Sequence, residues 1–335
     1  MTTANLQYLT RLSFAAEKLM ADHPPKFRNR NKQLVFDIGC SANSIIGGTI
    51  TYTRWGAMVP PAEPDALDRV IIEGREDVYD YIPFPGGSRA LEWHVNFADP
   101  HLFCAYGSGL LAQDEMQVAE HPALGPLLEA LYASGENPVT VEGCKPTPVL
   151  IRGAERRVRI ATDANAEEGR PLGLYGNRFA AAGTAVIERA VTRIDPPTIT
   201  NLIAMAAPAG GSGAYTWDQI DYILVTAFTG FRAAKHETLE TRGKAAKTVI
   251  HTGFWGCGAF GGNRALMALL QLVAAHLAGI DCLGFHTHQP AGTEALARAR
   301  GVFAQLIGGE RRVQLSEMID AVVAMRWQWG VGDGN

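Results

Sequence analysis

The sequence predicts an α/β fold in which helices cover a largely parallel sheet. The clearest sign is the last third of the chain, where predicted strands and helices alternate. In order, these are strand 248–252, helix 265–277, strand 282–285, helix 293–306 and helix 315–327. The hydrophobic share of 47% supplies the apolar residues that the core between such layers requires.

Apolar periodicity and turn residues predict the upstream elements. They are a helix over 6–19 that Pro24 and Pro25 end, strands at 34–38, 45–53 and 69–72, a turn at 83–87, strand 92–98, helices 110–119 and 124–132, strand 149–160, helix 179–192, a flexible loop at 206–213 and helix 217–234. The chain shows no internal repeat and no linker. We therefore expect one domain over residues 1–335, with residues 1–90 as an extension packed on the core formed by 91–335.

Composition narrows the classes of function. Thirty Lys and Arg against 34 Asp and Glu give a net charge of −4, which does not favour general binding to nucleic acid or to an anionic membrane. The five cysteines are widely spaced, and neither a secretion signal nor a long apolar run occurs. We expect a cytoplasmic protein with reduced thiols that acts on a small molecule or on a protein.

A glycine-rich turn is the first candidate site. Gly256, Gly258 and Gly261 follow a predicted strand and precede a predicted helix, where backbone amides bind phosphate well. A tight turn without a ligand is the simpler alternative. A dinucleotide site of the Rossmann type requires an acidic residue at the end of the next strand, whereas Asp281 begins that strand. The context therefore favours a diphosphate without redox chemistry.

Two adjacent carboxylates, Asp114 and Glu115, form the second candidate site. They lie in the first turn of a predicted helix, after a strand and the flexible segment Tyr106-Gly-Ser-Gly109. Carboxylates at a helix N-terminus interact favourably with the helix dipole, and this interaction alone would explain the pair by a structural role. Their combination with a phosphate-binding turn favours a role in catalysis.

Together the two segments resemble the poly(ADP-ribose) glycohydrolase branch of the macrodomain family. That family carries Phe-Ala-Asn, a glycine-rich loop and Gln-Glu-Glu, and then Thr-Gly-Asn-Trp-Gly-Cys-Gly-Ala-Phe-Gly-Gly-Asp before a helix. The counterparts are Phe97-Ala-Asp99, Gln113-Asp-Glu115 and Thr252-Gly-Phe-Trp-Gly-Cys-Gly-Ala-Phe-Gly-Gly-Asn263. The resemblance covers residues 92–120 and 247–290. It implies a three-layer α/β/α fold with a mixed, largely parallel central sheet.

The resemblance also implies an enzyme, a glycosidase that hydrolyses the O- or N-glycosidic bond of poly- or mono-ADP-ribose without a cofactor or metal. Glu115 would be the acid and base, Asp114 would hold ribose hydroxyls and raise the proton affinity of Glu115, and Gln113 would position the pair. The expected substrate contacts are Gln113, Asp99, Gly107, Ser108, Gly109, Gly256, Cys257, Gly258, Ala259, Phe260, Gly261 and His288. The expected partner is ADP-ribose, or protein or polymer that carries it.

Three departures from the family pattern leave the substrate open. Phe103-Cys104-Ala105 replaces three consecutive glycines and should crowd the backbone near the ribose, while Asp114 replaces a glutamate and Phe254 an asparagine. One alternative is therefore a hydrolase of mono-ADP-ribosylated protein or nucleic acid that reverses the action of a toxin. Another is a module that binds ADP-ribose without cleaving it.

Five other residues admit two interpretations each. His286 and His288 are spaced as metal ligands, but no third ligand is evident, and His288 matches a family position that is aromatic. Cys257 next to a helix N-terminus is a candidate for a lowered thiol pKa, although tight packing explains it better. Trp327 and Trp329 could face a partner, but we expect them to dock on the core.

Overall fold

The computed structural model of the chain describes residues 8–41, 46–62, 70–84, 89–307 and 314–334. The strands are β1 (Tyr8–Ala15), β2 (Thr49–Trp55), β3 (Ile71–Arg75), β4 (Ala90–Phe97), β5 (Val141–Glu142), β6 (Lys145–Pro146), β7 (Val149–Ile160), β8 (Val191–Met205), β9 (Lys247–Thr252) and β10 (Cys282–His286). The helices are α1 (Ala16–Asp22), α2 (Arg30–Gly39), α3 (Gln113–Glu120), α4 (Leu124–Ala133), α5 (Arg178–Ala181), α6 (Thr184–Ala190), α7 (Trp217–Arg242), α8 (Arg264–Ala278), α9 (Pro290–Ile307) and α10 (Leu315–Ala324).

Eight of these strands form one mixed sheet in the order β1-β2-β7-β8-β4-β9-β10-β3. The half that contains β8, β4, β9, β10 and β3 is parallel. The half that contains β1, β2, β7 and β8 is antiparallel. All the strands of the parallel half therefore end at the same edge of the sheet.

Helices cover both faces of the sheet. Trp93, Ile250 and Phe285 point from the parallel half into a core that α7, α8, α9 and α10 complete. On the other face, α1 and α4 pack over the antiparallel half, and α2 and α6 pack near the end of β7. The prediction of a three-layer α/β/α fold with a mixed, largely parallel sheet is confirmed.

Most of the predicted core elements are confirmed within one to four residues at their ends. These are β4, α3, α4, β7, β9, α8, β10, α9 and α10, with β7 matching at both ends. The helix predicted at 217–234 continues to Arg242. The predicted strands at 45–53 and 69–72 correspond to β2 and β3, shifted toward the C-terminus, and residues 45 and 69 lie outside the described residues. The turn predicted at 83–87 also lies largely outside them.

Three predictions in the periphery are wrong. Residues 8–15 of the predicted N-terminal helix form β1, because they pair along their whole length with β2. The predicted strand at 34–38 lies inside α2, whose start is capped by the Asn29 side chain. The predicted helix at 179–192 is two short helices, α5 and α6, separated at Ala182 and Gly183, and its last residues begin β8. Strand β8 itself was not predicted.

None of the helices in the described residues is both long enough and apolar enough to cross a membrane.

A close backbone contact joins β2 to β7 and generates a stability prediction. Gly153 has φ +86°, and a Cβ there would lie 2.3 Å from the Thr49 carbonyl oxygen. The register of β7 against β8 also shifts at this point, as at a β-bulge. We expect Gly153→Ala to lower the free energy of unfolding by about 3 kcal/mol, through strain and displacement of β2.

Gly135 provides the matched control. It has φ +78° with open space around its Cβ position, so Gly135→Ala should show only the conformational cost, about 1 kcal/mol. Urea unfolding of both variants measures the difference. Equal losses would show that the contact with Thr49 does not constrain the sheet.

Candidate functional site

The two predicted site segments leave neighbouring strands at one edge of the sheet. β4 and β9 pair in parallel, with His94 opposite His251, and both strands end a few residues later. Paired strands lie about 4.8 Å apart. The loop that leads from β4 to α3 and the glycine-rich turn that follows β9 therefore begin side by side. Ligands of open α/β sheets bind at this carboxyl edge.

Asp281 lies at the opposite edge, as predicted. Its amide donates to the carbonyl of Thr248, near the start of β9. Its carboxylate accepts hydrogen bonds from the Thr248 amide and from Lys235. Asp281 therefore cannot serve as the acidic residue of a Rossmann site, because it lies at the edge of the sheet opposite the glycine-rich turn.

The glycine-rich turn, residues 253–262, is a rigid structure. Gly256 and Gly261 have φ values of +75° and +65°, which L side chains rarely adopt. The Gly262 amide donates to the Gly256 carbonyl at 2.9 Å, and the Trp255 indole donates to the Met205 carbonyl at 2.9 Å. Asn263 then caps α8 by accepting from the Leu266 amide. The turn is thus fixed to the end of β8 on one side and to α8 on the other.

The segment after α10 runs against this turn. The Gly330 amide donates to the Gly261 carbonyl at 2.9 Å, and the Asp333 amide donates to the Gly258 carbonyl at 3.3 Å. A Cβ at Gly332 would lie 2.5 Å from the Ala259 carbonyl oxygen, so the two backbones are in direct contact. We call residues 327–333 the C-terminal strap.

The C-terminal strap uses the carbonyl side of the turn. The Gly258 carbonyl and the Ala259 amide belong to one trans peptide group, in which C=O and N–H point in opposite directions. Because the Gly258 carbonyl accepts from Asp333 of the C-terminal strap, the Ala259 amide points away from the strap. Among the described residues, no hydrogen bond uses the amides of Gly258, Ala259 or Phe260. These three amides are consecutive and remain available to an anion.

The C-terminal strap docks on the core, as expected for Trp327 and Trp329. Trp327 is buried, and the Arg298 guanidinium lies 4.4 Å from the centre of its ring. Trp329 stacks on Tyr215 at 4.1 Å between ring centres. The Trp329 amide donates to the Gly213 carbonyl, so the strap also fastens the loop after β8.

The acidic pair is held by the end of β4. Gln113 accepts from the Phe97 amide at 2.7 Å and donates to the Val95 carbonyl at 3.1 Å, which fixes the start of α3. One Asp114 oxygen accepts from the Asn96 amide group at 3.0 Å. One Glu115 oxygen, Oε2, accepts from the Ala112 amide at 3.0 Å. Gln113 therefore ties the first turn of α3, which carries the pair, to the end of β4.

Burial governs the charge of the pair. Asp114 and Glu115 are 6% and 5% exposed. Burial and the neighbouring Glu115 charge raise the pKa of Asp114 to about 8, and burial raises the pKa of Glu115. Because the two groups interact, the raised proton affinity belongs to the pair. At neutral pH the pair therefore holds a proton, as an acid catalyst must.

Phe103, the first of the three residues expected to crowd the backbone, has a glycine-like backbone conformation. Its φ is +53°, and its ring is fully buried among Leu102, Leu127 and other residues of the core under α4. The expected crowding by this side chain is wrong, because the ring points into the protein. Cys104 is exposed and Ala105 half-buried, so these two side chains form the outer side of the loop.

The glycines of the same loop pack against the N-terminal extension and against α5. A Cβ at Gly107 would lie 2.3 Å from the Lys26 carbonyl oxygen, and one at Gly109 would lie 2.6 Å from the Ala180 side chain. The Gly107 carbonyl accepts from the amides of Arg28 and Asn29. These glycines allow close packing of the chain, and the loop is less free than the sequence suggests. The hydroxyl of Ser108 accepts from the Leu110 amide and so turns the loop toward α3.

The remaining predicted residues lie around this edge. Asp99 is partly exposed and accepts from the His101 amide. Phe260 is half-buried against the core, and Ala259 is exposed. His288 follows β10, is exposed and has φ +65°. Cys257 donates weakly to the Trp255 carbonyl, and burial raises its pKa to about 12, so the suggestion of a lowered thiol pKa is wrong and tight packing explains this cysteine.

His286 belongs to a buried polar cluster under the segment after β3. Its Nδ1 lies 2.8 Å from an Asp77 oxygen and its Nε2 3.3 Å from Nδ1 of His251, which in turn contacts Glu92 at 2.8 Å. Within the described residues, no group of three or more His, Cys, Asp or Glu side chains is arranged to hold a metal. Hydrogen bonding within the protein accounts for His286.

Sequence reasoning missed three residues of the site. Asn96 is fully buried and joins Asp114 to Gln117. Tyr175 is fixed beside α3 by backbone pairing of Gly176 with Leu111, and the charges of Asp333 and Glu115 help burial to raise its pKa to about 12. Lys32 of α2 is buried near the pair. An asparagine in an otherwise apolar strand was a visible signal, whereas Tyr175 and Lys32 come from distant segments.

The segment that contains the glycine-rich turn matches a known family. The family model described as poly(ADP-ribose) glycohydrolase (PARG), macro domain fold, matches residues 171–295. The matched segment contains Tyr175, the whole glycine-rich turn and His288, whereas Asp114 and Glu115 lie before it.

Solved structures of PARG and of a macrodomain resemble the chain at low similarity. PARG from Thermomonospora curvata is 17% identical, with 86% of this chain and 85% of that chain covered and a TM-score of 0.42. PARG from Deinococcus radiodurans in complex with ADP-ribose is 12% identical over 88% and 94%, with a TM-score of 0.40. The Oceanobacillus iheyensis macrodomain with MES bound is 12% identical over 64% and 86%, with a TM-score of 0.37. At these scores the resemblance carries no argument about the site. No curated protein sequence matches the chain.

The raised pKa of Asp114 makes stability depend on pH. The folded state holds the proton more tightly than the unfolded chain, whose aspartate pKa is near 3.8. The stabilisation is therefore complete below that value and is lost as pH rises toward about 8. The free energy of unfolding of Asp114→Asn, relative to that of wild type, should therefore rise with pH over this range by at most about 1.4 kcal/mol per pH unit. Above this range the difference should stay constant. Urea unfolding at several pH values measures this, and a difference that does not change with pH would contradict it.

Proposed function

We propose that the chain is an ADP-ribosyl glycohydrolase in which Glu115 serves as acid and base. The observation that carries the proposal is the parallel pairing of β4 with β9, which brings the acidic pair and the glycine-rich turn to one edge of the sheet. The PARG family match supports the ADP-ribose part of the proposal. The buried, proton-holding pair supports the hydrolytic part.

The free amides of the turn suit the diphosphate of ADP-ribose. Gly258, Ala259 and Phe260 would donate to it, with the N-terminus of α8 behind them. Phe260 and His288 lie at the same edge and would contact the nucleoside or a ribose, and Tyr175 would close the side next to α3. Asp99, Gly107, Ser108 and Gly109 would border the ribose that is attached to the acceptor.

Hydrolysis needs one group that gives a proton and later takes one. Protonated Glu115 would donate to the leaving oxygen or nitrogen while the bond to the anomeric carbon breaks and positive charge develops on the ribose. Glu115, then a carboxylate, would remove a proton from water as the water oxygen bonds to the anomeric carbon. Asp114, which accepts from Asn96, would hold ribose hydroxyls, and the Ala112 amide holds one oxygen of Glu115 in place. No step in this scheme needs a metal or a cofactor.

The loop between β4 and α3 bears on the acceptor. With Phe103 buried and the extension packed on Gly107, this loop is a fixed wall with Cys104 and Ala105 on its outer side. We propose mono-ADP-ribosylated protein or the end of a polymer as substrate, because a fixed wall leaves less room for a chain that continues beyond the ribose. We also propose that residues 1–335 act as one domain in the cytoplasm, without general affinity for nucleic acid or membranes.

The central test replaces the proposed acid. Glu115→Gln keeps the size of the side chain but cannot transfer the proton, so kcat should fall by about 10²–10⁴ while ADP-ribose binding is retained. Released ADP-ribose is measured with polymer and with monomer linked to Glu, Ser, Arg or DNA. Glu167→Gln, at an exposed position, is the matched control and should keep full activity. Calorimetric binding without release by the wild type would favour a non-catalytic ADP-ribose-binding module.

The role of the turn is tested separately. Ala259 is exposed, so Ala259→Asp should leave the fold intact and place a negative charge beside the diphosphate. We expect the Kd for ADP-ribose to rise at least about tenfold for Ala259→Asp, and less for the neutral Ala259→Asn. Equal effects of the two variants would mean that size, and not charge, matters at this position and that the diphosphate lies elsewhere.

A further inference from the structure

Lys32 is a buried lysine in the N-terminal extension. Its side chain is 1% exposed, although lysine is almost never fully buried without a partner. Its ammonium donates to the Tyr106 carbonyl at 3.1 Å and lies 5.8 Å from the centre of the Phe179 ring. The adjoining cavity has a volume of about 10 Å³, which is room for one water at most. Water does not solvate this charge to any large extent.

Lys32 lies where α2 packs on α3, the helix that begins with the acidic pair. The same cavity is lined by Val118 and Ala119 of α3 and by Tyr106. Tyr106 belongs to the loop that leads from β4 into α3. Lys32 thus touches the loop that ends at the pair and lies against the helix that carries it.

The charges that face this ammonium are those of the pair. Burial lowers the pKa of Lys32 to about 8, and the charges of Glu115 and Asp114 oppose this lowering. The pair is surrounded by other ionisable groups. These are Lys32 of α2 and Asp99 of the loop after β4, together with Cys104 and Tyr175. Among the described residues, Lys32 is a cation whose charge acts on both carboxyl groups.

We infer that Lys32 is a positioning residue of the acidic pair, which holds the loop before α3 through Tyr106 and offsets the second negative charge when Glu115 loses its proton. This inference rests on the proposed function of the pair. Two adjacent buried carboxylates repel each other, so the ionised form of Glu115 that activates water is costly. A buried ammonium stabilises that form without touching the substrate. The extension therefore contributes to catalysis and not only to the fold.

The test compares Lys32→Met, which keeps the length of the side chain without the charge, with Lys32→Arg, which keeps the charge. Without the cation the carboxyl groups hold their protons more tightly. The pH at which kcat/KM falls on the alkaline side should rise by about one unit or more in Lys32→Met. Lys32→Arg should stay close to wild type. Thermal melting confirms that each variant is folded.

A second measurement does not need activity. Carbon-13 NMR of the side-chain carboxyl groups should show the titration of the pair moving to higher pH in Lys32→Met. Coupling is reciprocal, so Glu115→Gln should lower the pH at which Lys32 titrates in the otherwise native chain. This arm remains informative if Lys32→Met does not fold.

The outcomes separate the two proposals. A folded Lys32→Met with unchanged carboxyl titration, or Glu115→Gln with unchanged Lys32 titration, overturns the inference. A wild type that releases no ADP-ribose overturns the proposed function, whereas the NMR arm still decides whether Lys32 and the pair are coupled. Lower stability of Lys32→Met with no shift in either pH profile would mean a structural role alone.

Discussion

Parallel pairing of β4 with β9 is the constraint on which the site depends. Parallel neighbours end at the same edge, and these two strands are adjacent in the sheet, so the segments that follow them begin within one strand spacing. One segment carries two carboxyl groups and the other carries three free amides. Neither would suffice for chemistry on ADP-ribose alone. Their meeting follows from the order of strands in the sheet and not from their distance along the chain, which exceeds one hundred residues.

Burial of polar groups is the second condition. The carboxyl groups of the pair, the Asn96 amide and the Lys32 ammonium are each at least nine-tenths buried, and such groups are tolerated only when they are bonded to one another or to backbone. Asn96 donates to Asp114, the Ala112 amide donates to Glu115, and the Lys32 ammonium donates to the Tyr106 carbonyl. The same contacts fix the carboxyl groups in place. The environment that shifts their proton affinity is therefore also the one that orients them.

The sequence predicted the parts of the fold that rest on strong periodicity or on capping residues. Helix α8 with its Asn263 cap and strands β9 and β10 are examples. Strand β8 escaped prediction because its first half is exposed and contains Asp195-Pro-Pro197, which is typical of a turn. β1 was read as a helix because edge strands carry weak alternation, and its leucines also fit a helical spacing.

The site was predictable only where one segment supplied a whole motif. The glycine-rich turn and Gln113-Asp-Glu115 are each one continuous motif, and each follows a strand that ends at the same edge of the sheet. Lys32 and Tyr175 join the site from segments that no pattern connects to it. Only the packing of α2 and of residues 171–176 on α3 shows that they belong there. The packing of Gly107 on the extension escaped prediction for the same reason, since its neighbour Lys26 is distant in sequence.

Phe103 has a consequence for how relatives of this chain are found. Its left-handed backbone keeps the course that glycine would give, while its ring fills the core below. Substitution of Phe103 by glycine would relieve the backbone strain but leave a large cavity, so glycine at this position would require compensating substitutions nearby. Searches that demand three consecutive glycines would overlook chains of this type. The left-handed conformation of residue 103, and not glycine itself, is what the course of this loop requires.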